Sequence, residues 1–246
     1  MLEETWKIYT YDSVASTMDQ AVELIAEESQ FAVLAYNQTN GRGRQGRQWQ
    51  SFEENLFTTL AFKPSQPCKT WGQVSFVAAL AVGEVIQDYL SNQQSHVVQY
   101  KWPNDILVSG KKIAGILLEI IDASWLLVGI GINLKNSPEG LPYLSTSLKE
   151  LEGGVPSPET ALLLLMKYFT FKMKILEEKG FSEIRSLWLK SGAYLGKEIE
   201  VRLHKQGLIE KINGRFIDLD EEGTLLLELP NKEIKRIFAG DVLRQD

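Results

Sequence analysis

The chain has 246 residues, 44% of them hydrophobic and 24% charged, a balance that suits a soluble globular protein with a sizeable core. Its formal net charge of −6 excludes a surface built for non-specific nucleic-acid binding, which needs surplus Lys and Arg. Cys68 is the only cysteine, so no intrachain disulfide can form, and with neither a signal-like N-terminus nor a membrane-length apolar run the expected location is cytoplasmic.

The first strand is expected over residues 6–11, ended by Asp12-Ser13. Ser16 then offers an N-cap to a helix over 17–28, with Asp19 in its first turn, where the helix dipole favours an acid. A short buried strand at 31–36 leads into a polar loop rich in glycine and arginine (37–51), and a second strand follows at 55–62. Residues 71–90 read as a mostly apolar helix in which Gly83 marks a close-packing position. A strand at 97–102 stops at Pro103, which cannot donate to a ladder. Two hydrophobic strands, 113–121 and 125–134, are joined by Asp122-Ala123-Ser124, and a short turn implies antiparallel pairing. After a loop-like segment come helices at 159–179 and 181–191, separated by Gly180 as a helix terminator. Short strands at 197–203, 208–219, 224–229 and 233–238, punctuated by Gly207, Gly214 and Gly223, then suggest a small all-β barrel. The expected organisation is an α+β domain with a mixed, mainly antiparallel sheet over residues 1–192, and a β-barrel domain over 193–246.

Four segments carry chemistry-bearing residues. In Gly41-Arg42-Gly43-Arg44-Gln45-Gly46-Arg47-Gln48-Trp49, glycines let backbone approach a ligand and guanidiniums fork onto phosphate or carboxylate oxygens. An RG-type RNA-binding loop or a plain solvated loop has the same composition, and the loop alone leaves these readings open. Lys101-Trp102-Pro103-Asn104-Asp105 gathers an amine, an amide and a carboxylate at a strand end. By itself it is an ordinary turn with Lys101 solvated. Lys111-Lys112-Ile113-Ala114-Gly115 carries a lysine pair into a buried strand, and in Gly129-Ile130-Gly131-Ile132-Asn133 two glycines open space beside Asn133. Together and in this order the four resemble the biotin–protein ligase family: its GRGRxGRxW loop, KWPND turn, KxAGIL strand and GxGIN strand. Ser16-Thr17 resembles that family's Ser-Thr element, and the C-terminal β segment extends the likeness over essentially the whole chain.

The resemblance implies a catalytic domain of the class II aminoacyl-tRNA-synthetase-like kind with an SH3-like C-terminal barrel. It implies a two-step reaction: biotin and ATP give biotinyl-5′-AMP, and biotin then passes to a lysine of a carrier domain of a biotin-dependent carboxylase. Neither step requires an enzyme nucleophile, in keeping with His96 and His204 in unrelated segments and no G-x-S-x-G elbow. It further implies Ser16, Thr17, Gln38, Gly41, Arg42, Arg44, Lys112 and Gly115 as biotin contacts. Arg44, Arg47, Trp49, Lys101, Asn104, Lys112 and Asn133 fall on the ATP side. Lys112, Arg44 and Arg47 are the catalytic candidates, Lys111 is expected to be solvated, and Asp105 is a candidate Mg²⁺ ligand. Two departures stand out: Met18 where many relatives have Asn, and Tyr143 as the only aromatic in the loop where the bifunctional members carry Trp. No helix-turn-helix precedes the catalytic segment, so a ligase without a DNA-binding role is expected, with a homodimer possible and no membrane partner. The rivals are a lipoate or octanoate ligase of the same fold and a non-catalytic biotin- or RNA-binding module.

Overall fold

A computed structural model describes residues 6–25, 29–90, 96–205 and 208–244. Its central feature is a seven-stranded sheet made of β1 (Lys7–Val14), β2 (Gln30–Gln38), β3 (Leu56–Phe62), β4 (Val98–Lys101), β5 (Asp105–Val108), β6 (Lys111–Ile121) and β7 (Trp125–Ile132), in the order β1-β2-β3-β7-β6-β5-β4. Only β1 and β2 run parallel, because α1 (Thr17–Leu24) carries the chain back between them. Every other neighbouring pair is antiparallel.

The two-residue side-chain period splits the sheet into two faces. Ala32, Leu34, Leu126, Val128 and Ile130 join the main core, against which α2 (Val74–Tyr89) and α3 (Pro158–Lys179) pack. Phe31, Val33, Trp125 and Leu127 point the other way and meet Met18 and Ala21 of α1. That second face would continue along β7 through residues 129 and 131, and both are glycine. The sheet is therefore bare beyond the N-terminus of α1, and this is where the candidate site lies.

Local chemistry explains the element boundaries. Ser16 caps α1 by accepting from the Met18 N–H at 3.2 Å, and Ser157 caps α3 from the Thr160 N–H at 3.3 Å. Gly180, at φ +77°, ends α3 with its N–H on the Leu176 carbonyl. Before α2 the chain makes a tighter turn (Cys68–Gln73), so the helix starts three residues later than the apolar pattern implies. Gly83 does mark a close approach, since a Cβ there would fall 2.3 Å from the Tyr100 hydroxyl.

A short helix α4 (Phe181–Leu189) leads into β8 (Glu198–Lys205), β9 (Leu208–Leu219), β10 (Leu225–Glu228), β11 (Ile234–Ile237) and β12 (Asp241–Arg244), which form a five-stranded antiparallel sheet ordered β11-β10-β9-β8-β12. Two strands differ from expectation by being present at all: β5, which starts at Asp105 within the segment read as a turn, and β12, where no strand was expected. A third, β1, continues through Asp12 and Ser13. It is an edge strand with mostly exposed side chains, where polar residues cost little.

Candidate active site

The arginine loop is a built structure. The Gly43 N–H donates to the Arg47 carbonyl at 2.7 Å and the Trp49 N–H to the Gly41 carbonyl at 2.8 Å, with a bridge between Arg42 and Gln48. Gln45 and Gly46, at φ +58° and +73°, turn the tip. A Cβ on Gly41 would come within 2.7 Å of the Trp49 carbonyl oxygen, so this glycine seats the loop base and does not face the cavity. The hairpin lays the Trp49 ring on the bare strip of sheet. Gly115 and Gly131 are register partners across β6 and β7, and a Cβ on either would stand within 2.9 Å of that ring.

Under the loop lies a cavity of about 580 Å³ whose walls include Ser16, Thr17, Gln38, Arg42, Arg44, Arg47, Trp49, Lys101, Asn104, Asp105, Lys112 and Gly115. Of the residues singled out in the sequence only Gly41 and Asn133 are missing from it. Asn133 borders a small adjoining cavity of about 30 Å³ together with Trp49, Lys112 and Tyr143. There its side-chain amide donates to the Thr146 carbonyl at 3.0 Å and fastens the 135–157 segment.

At one end of the cavity the polar groups are already oriented. The Thr17 backbone N–H and hydroxyl both donate to Oε1 of Gln38, at 2.8 and 3.2 Å, and the Thr59 hydroxyl donates to Thr17 Oγ1 at 2.9 Å. Beside them Met18 is buried and fills the space over Gly129, whose Cβ would meet its sulfur at 2.8 Å. The position where a polar contact was in doubt is thus an apolar patch of wall.

At the other end the groups are charged. Lys112 Nζ lies 2.6 Å from Asp105 Oδ1 and 5.4 Å from the ring centres of both Trp49 and Tyr143, whose faces attract a cation. Lys111 next to it is exposed. Lys101 is half-buried rather than solvated, and burial, partly offset by Asp105, holds its amine below the ordinary lysine range. Burial likewise lowers the pKa of Arg44, whose Nη1 donates to Asn104 Oδ1 at 3.0 Å. Arg42 pairs with Asp19 at 2.8 Å and Glu119 at 3.1 Å.

Arg202, His204, Ile209 and Asp241 of the C-terminal sheet also line the cavity. Asp241 ion-pairs with Arg47, and its carboxylate lies 3.1 Å from His204 Nε2. Burial opposes the charge on Asp241, yet Arg47 and His204 outweigh it and hold the carboxyl below its ordinary range. Arg202, Ile209 and Asp241 were not singled out in the sequence, and His204 was set aside there as lying in an unrelated segment. Nothing local marks them, because Asp241 meets Arg47 across a sequence separation of 194.

The walls hold more cations than carboxylates in a chain of net charge −6, so the site favours an anionic ligand. Ser16 and Thr17 spend their hydroxyls on the cap and on Gln38, and no cysteine is present in the walls. Such a site serves an enzyme that positions reactants and stabilises phosphate charge instead of attacking through a side chain of its own. Residues 10–135 match the model of the biotin/lipoate A/B protein ligase family, and residues 194–244 match the biotin protein ligase C terminal domain. The chain is 36% identical to the biotin–[acetyl-CoA-carboxylase] ligase of Paracoccus denitrificans, over 87% of this chain and 91% of that protein. It is 31% identical to the bifunctional ligase/repressor of Bacillus subtilis, over 94% of this chain and 72% of that protein. The solved structure of biotin protein ligase from Aquifex aeolicus in complex with biotin and ATP superposes with a TM-score of 0.83 at 29% identity, covering 97% of this chain and 99% of that one. The chain belongs to the biotin/lipoate A/B protein ligase family.

Proposed function

We propose that this protein is an ATP-dependent biotin–protein ligase. The observation that carries the reading is the single cavity that joins an oriented amide-and-hydroxyl end to a cationic end beneath one arginine hairpin. Its volume of about 580 Å³ lies in the range of small-molecule sites. The first step forms a bond between a biotin carboxylate oxygen and the α-phosphorus of ATP and expels pyrophosphate. In the second, a carrier lysine amine attacks the acyl carbon of the mixed anhydride and AMP leaves.

In this reading Ser16, Thr17 and Gln38 face the ureido ring, which needs both donors and acceptors. Lys112 reaches the carboxylate and phosphate, while Arg44, Arg47 and Lys101 serve the phosphates. Trp49 and Tyr143 flank the nucleotide side near Asn133. Among the described residues no group of three or more His, Cys, Asp or Glu is placed to hold a metal ion. Asp105 is the carboxylate beside Lys112 in the cavity, which fits Mg²⁺ carried in on the triphosphate, since that ion uses one or two carboxylates plus phosphate oxygens. When bound, Mg²⁺ would neutralise phosphate charge.

The partner is the biotin carrier domain of a biotin-dependent carboxylase, the location cytoplasmic, and the domain division falls between residues 192 and 193. Among the described residues no helix is long and apolar enough to cross a membrane, and the net charge of −6 suits a ligase better than a nucleic-acid-binding protein. ATP–pyrophosphate exchange tests the substrate: exchange driven by biotin is expected, and exchange driven only by lipoate or octanoate would refute it. A streptavidin blot of a carrier domain incubated with the protein, ATP, Mg²⁺ and biotin tests the transfer.

A further inference from the structure

The turn between β4 and β5 presents Asn104, and both the nitrogen and the oxygen of its carboxamide are engaged. Its main-chain carbonyl accepts from the Ile116 N–H at 3.0 Å, and its Nδ2 donates back to the Ile116 carbonyl at 2.8 Å. That double clamp on β6 fixes the side chain. Because a carbonyl only accepts, the NH₂ must face Ile116, which leaves Oδ1 toward Arg44 Nη1 at 3.0 Å. Among the described residues this is the only hydrogen-bond partner of the Arg44 guanidinium.

The neighbouring arginines are held differently. Arg42 is paired with Asp19 and Glu119, and Arg47 with Asp241. Each of those carboxylates offsets the charge it holds. Arg44 is hydrogen-bonded by a neutral acceptor; burial works against its charge, and Asp241 and Asp105 act on it only through space, without a direct ion pair. Asp at position 104 would set an anion against the Ile116 carbonyl and neutralise Arg44. Leu would release both partners. Asn alone combines donor, acceptor and reach.

We propose that Asn104 is a positioning residue for Arg44, fixing the guanidinium over the cavity while leaving its full charge available to the phosphate of the adenylate. This rests on the ligase reading above, and it departs from a direct contact between the Asn104 side chain and ATP.

The test uses the full-length protein and biotin-dependent ATP–pyrophosphate exchange, comparing wild type, Arg44→Ala, Asn104→Ala and the double variant. Absence of biotin-dependent exchange in the wild type overturns the ligase reading and this proposal with it. Given wild-type exchange, Asn104→Ala is expected to raise KM for ATP about tenfold and to leave KM for biotin within about twofold. The double variant is expected to be no worse than Arg44→Ala within about twofold, because residues acting through one contact are not additive. Effects that multiply in the double variant, equal shifts in both KM values, or a wild-type KM for ATP in Asn104→Ala each overturn the proposal. Should Asn104→Ala fail to fold, Asn104→Asp keeps the volume and the acceptor. It is expected to raise KM for ATP at least as far by neutralising Arg44, and a wild-type value would overturn the neutral-anchor argument.

Discussion

An added methyl at Gly131 has no room, since its carbon would stand 2.5 Å from Cε2 of Trp49. Gly131→Ala must therefore lift Trp49 off the sheet, costing about 1–3 kcal/mol of overpacking and tilting the loop that roofs the cavity. The expected result is a loss of affinity for both biotin and ATP of at least about tenfold, read by calorimetric titration, with circular dichroism unchanged. The lysine pair separates chemistry from charge. Lys112 lies 2.6 Å from Asp105 and between two aromatic rings, whereas Lys111 is exposed. Lys112→Ala should lower the rate of biotin-driven pyrophosphate release by about 10²–10³, the usual cost of losing one charge-stabilising donor. Lys111→Ala should leave it within about twofold. Equal effects would mean that net local charge, and not the position of Nζ, is what matters.

Between β2 and β3 the arginine hairpin roofs the cavity as an element, held at its base by main-chain bonds and at its tip by Arg47 on Asp241. Arg47→Ala removes the tip contact and leaves the base intact. The expected outcome is more biotinyl-AMP escaping into solution per turnover, detected as biotinylation of bystander proteins, with the hairpin cut faster by trypsin at Arg42 or Arg44. Much of this element was legible beforehand, because glycine–arginine alternation ending in Trp is a local pattern and its seat on the sheet shows as Gly115 and Gly131 in strand context. The antiparallel pairing of β6 with β7 also followed from the short turn between them. Contacts between distant segments were not legible. Asn104 reads as a turn residue, and only the register of β5 on β6 shows that its amide is spent on Ile116 and Arg44. The same holds for β12, four residues whose reason to be a strand lies in β8 across the sheet.

At the scale of the whole molecule the C-terminal sheet is joined to the rest by apolar packing as well as by that ion pair. Phe76, Phe181 and Trp188 share one buried cluster with Ile199, Phe216 and Leu225. Trp102 Nε1 donates to the Gly223 carbonyl at 3.0 Å, and Arg185 Nε to the Leu219 carbonyl at 2.6 Å. With so much of the core in common, the protein is expected to unfold in guanidinium chloride in one transition, with Trp fluorescence and far-ultraviolet dichroism coincident. Two separated transitions would show that the sheets are energetically independent. The pH dependence adds a marker for the joint itself. The folded pKa of Asp241 is below its ordinary value, so its pairing with Arg47 and His204 stabilises the fold at pH values above the unfolded carboxyl pKa of about 3.9. That contribution is lost as pH falls from about 4 through the lower folded value. Asp241→Asn cannot make this transition. Its unfolding midpoint should lie below that of the wild type at pH 7, and the gap should shrink as the pH is taken below about 4. A gap that stays constant with pH would assign the loss to packing and not to the Asp241 charge.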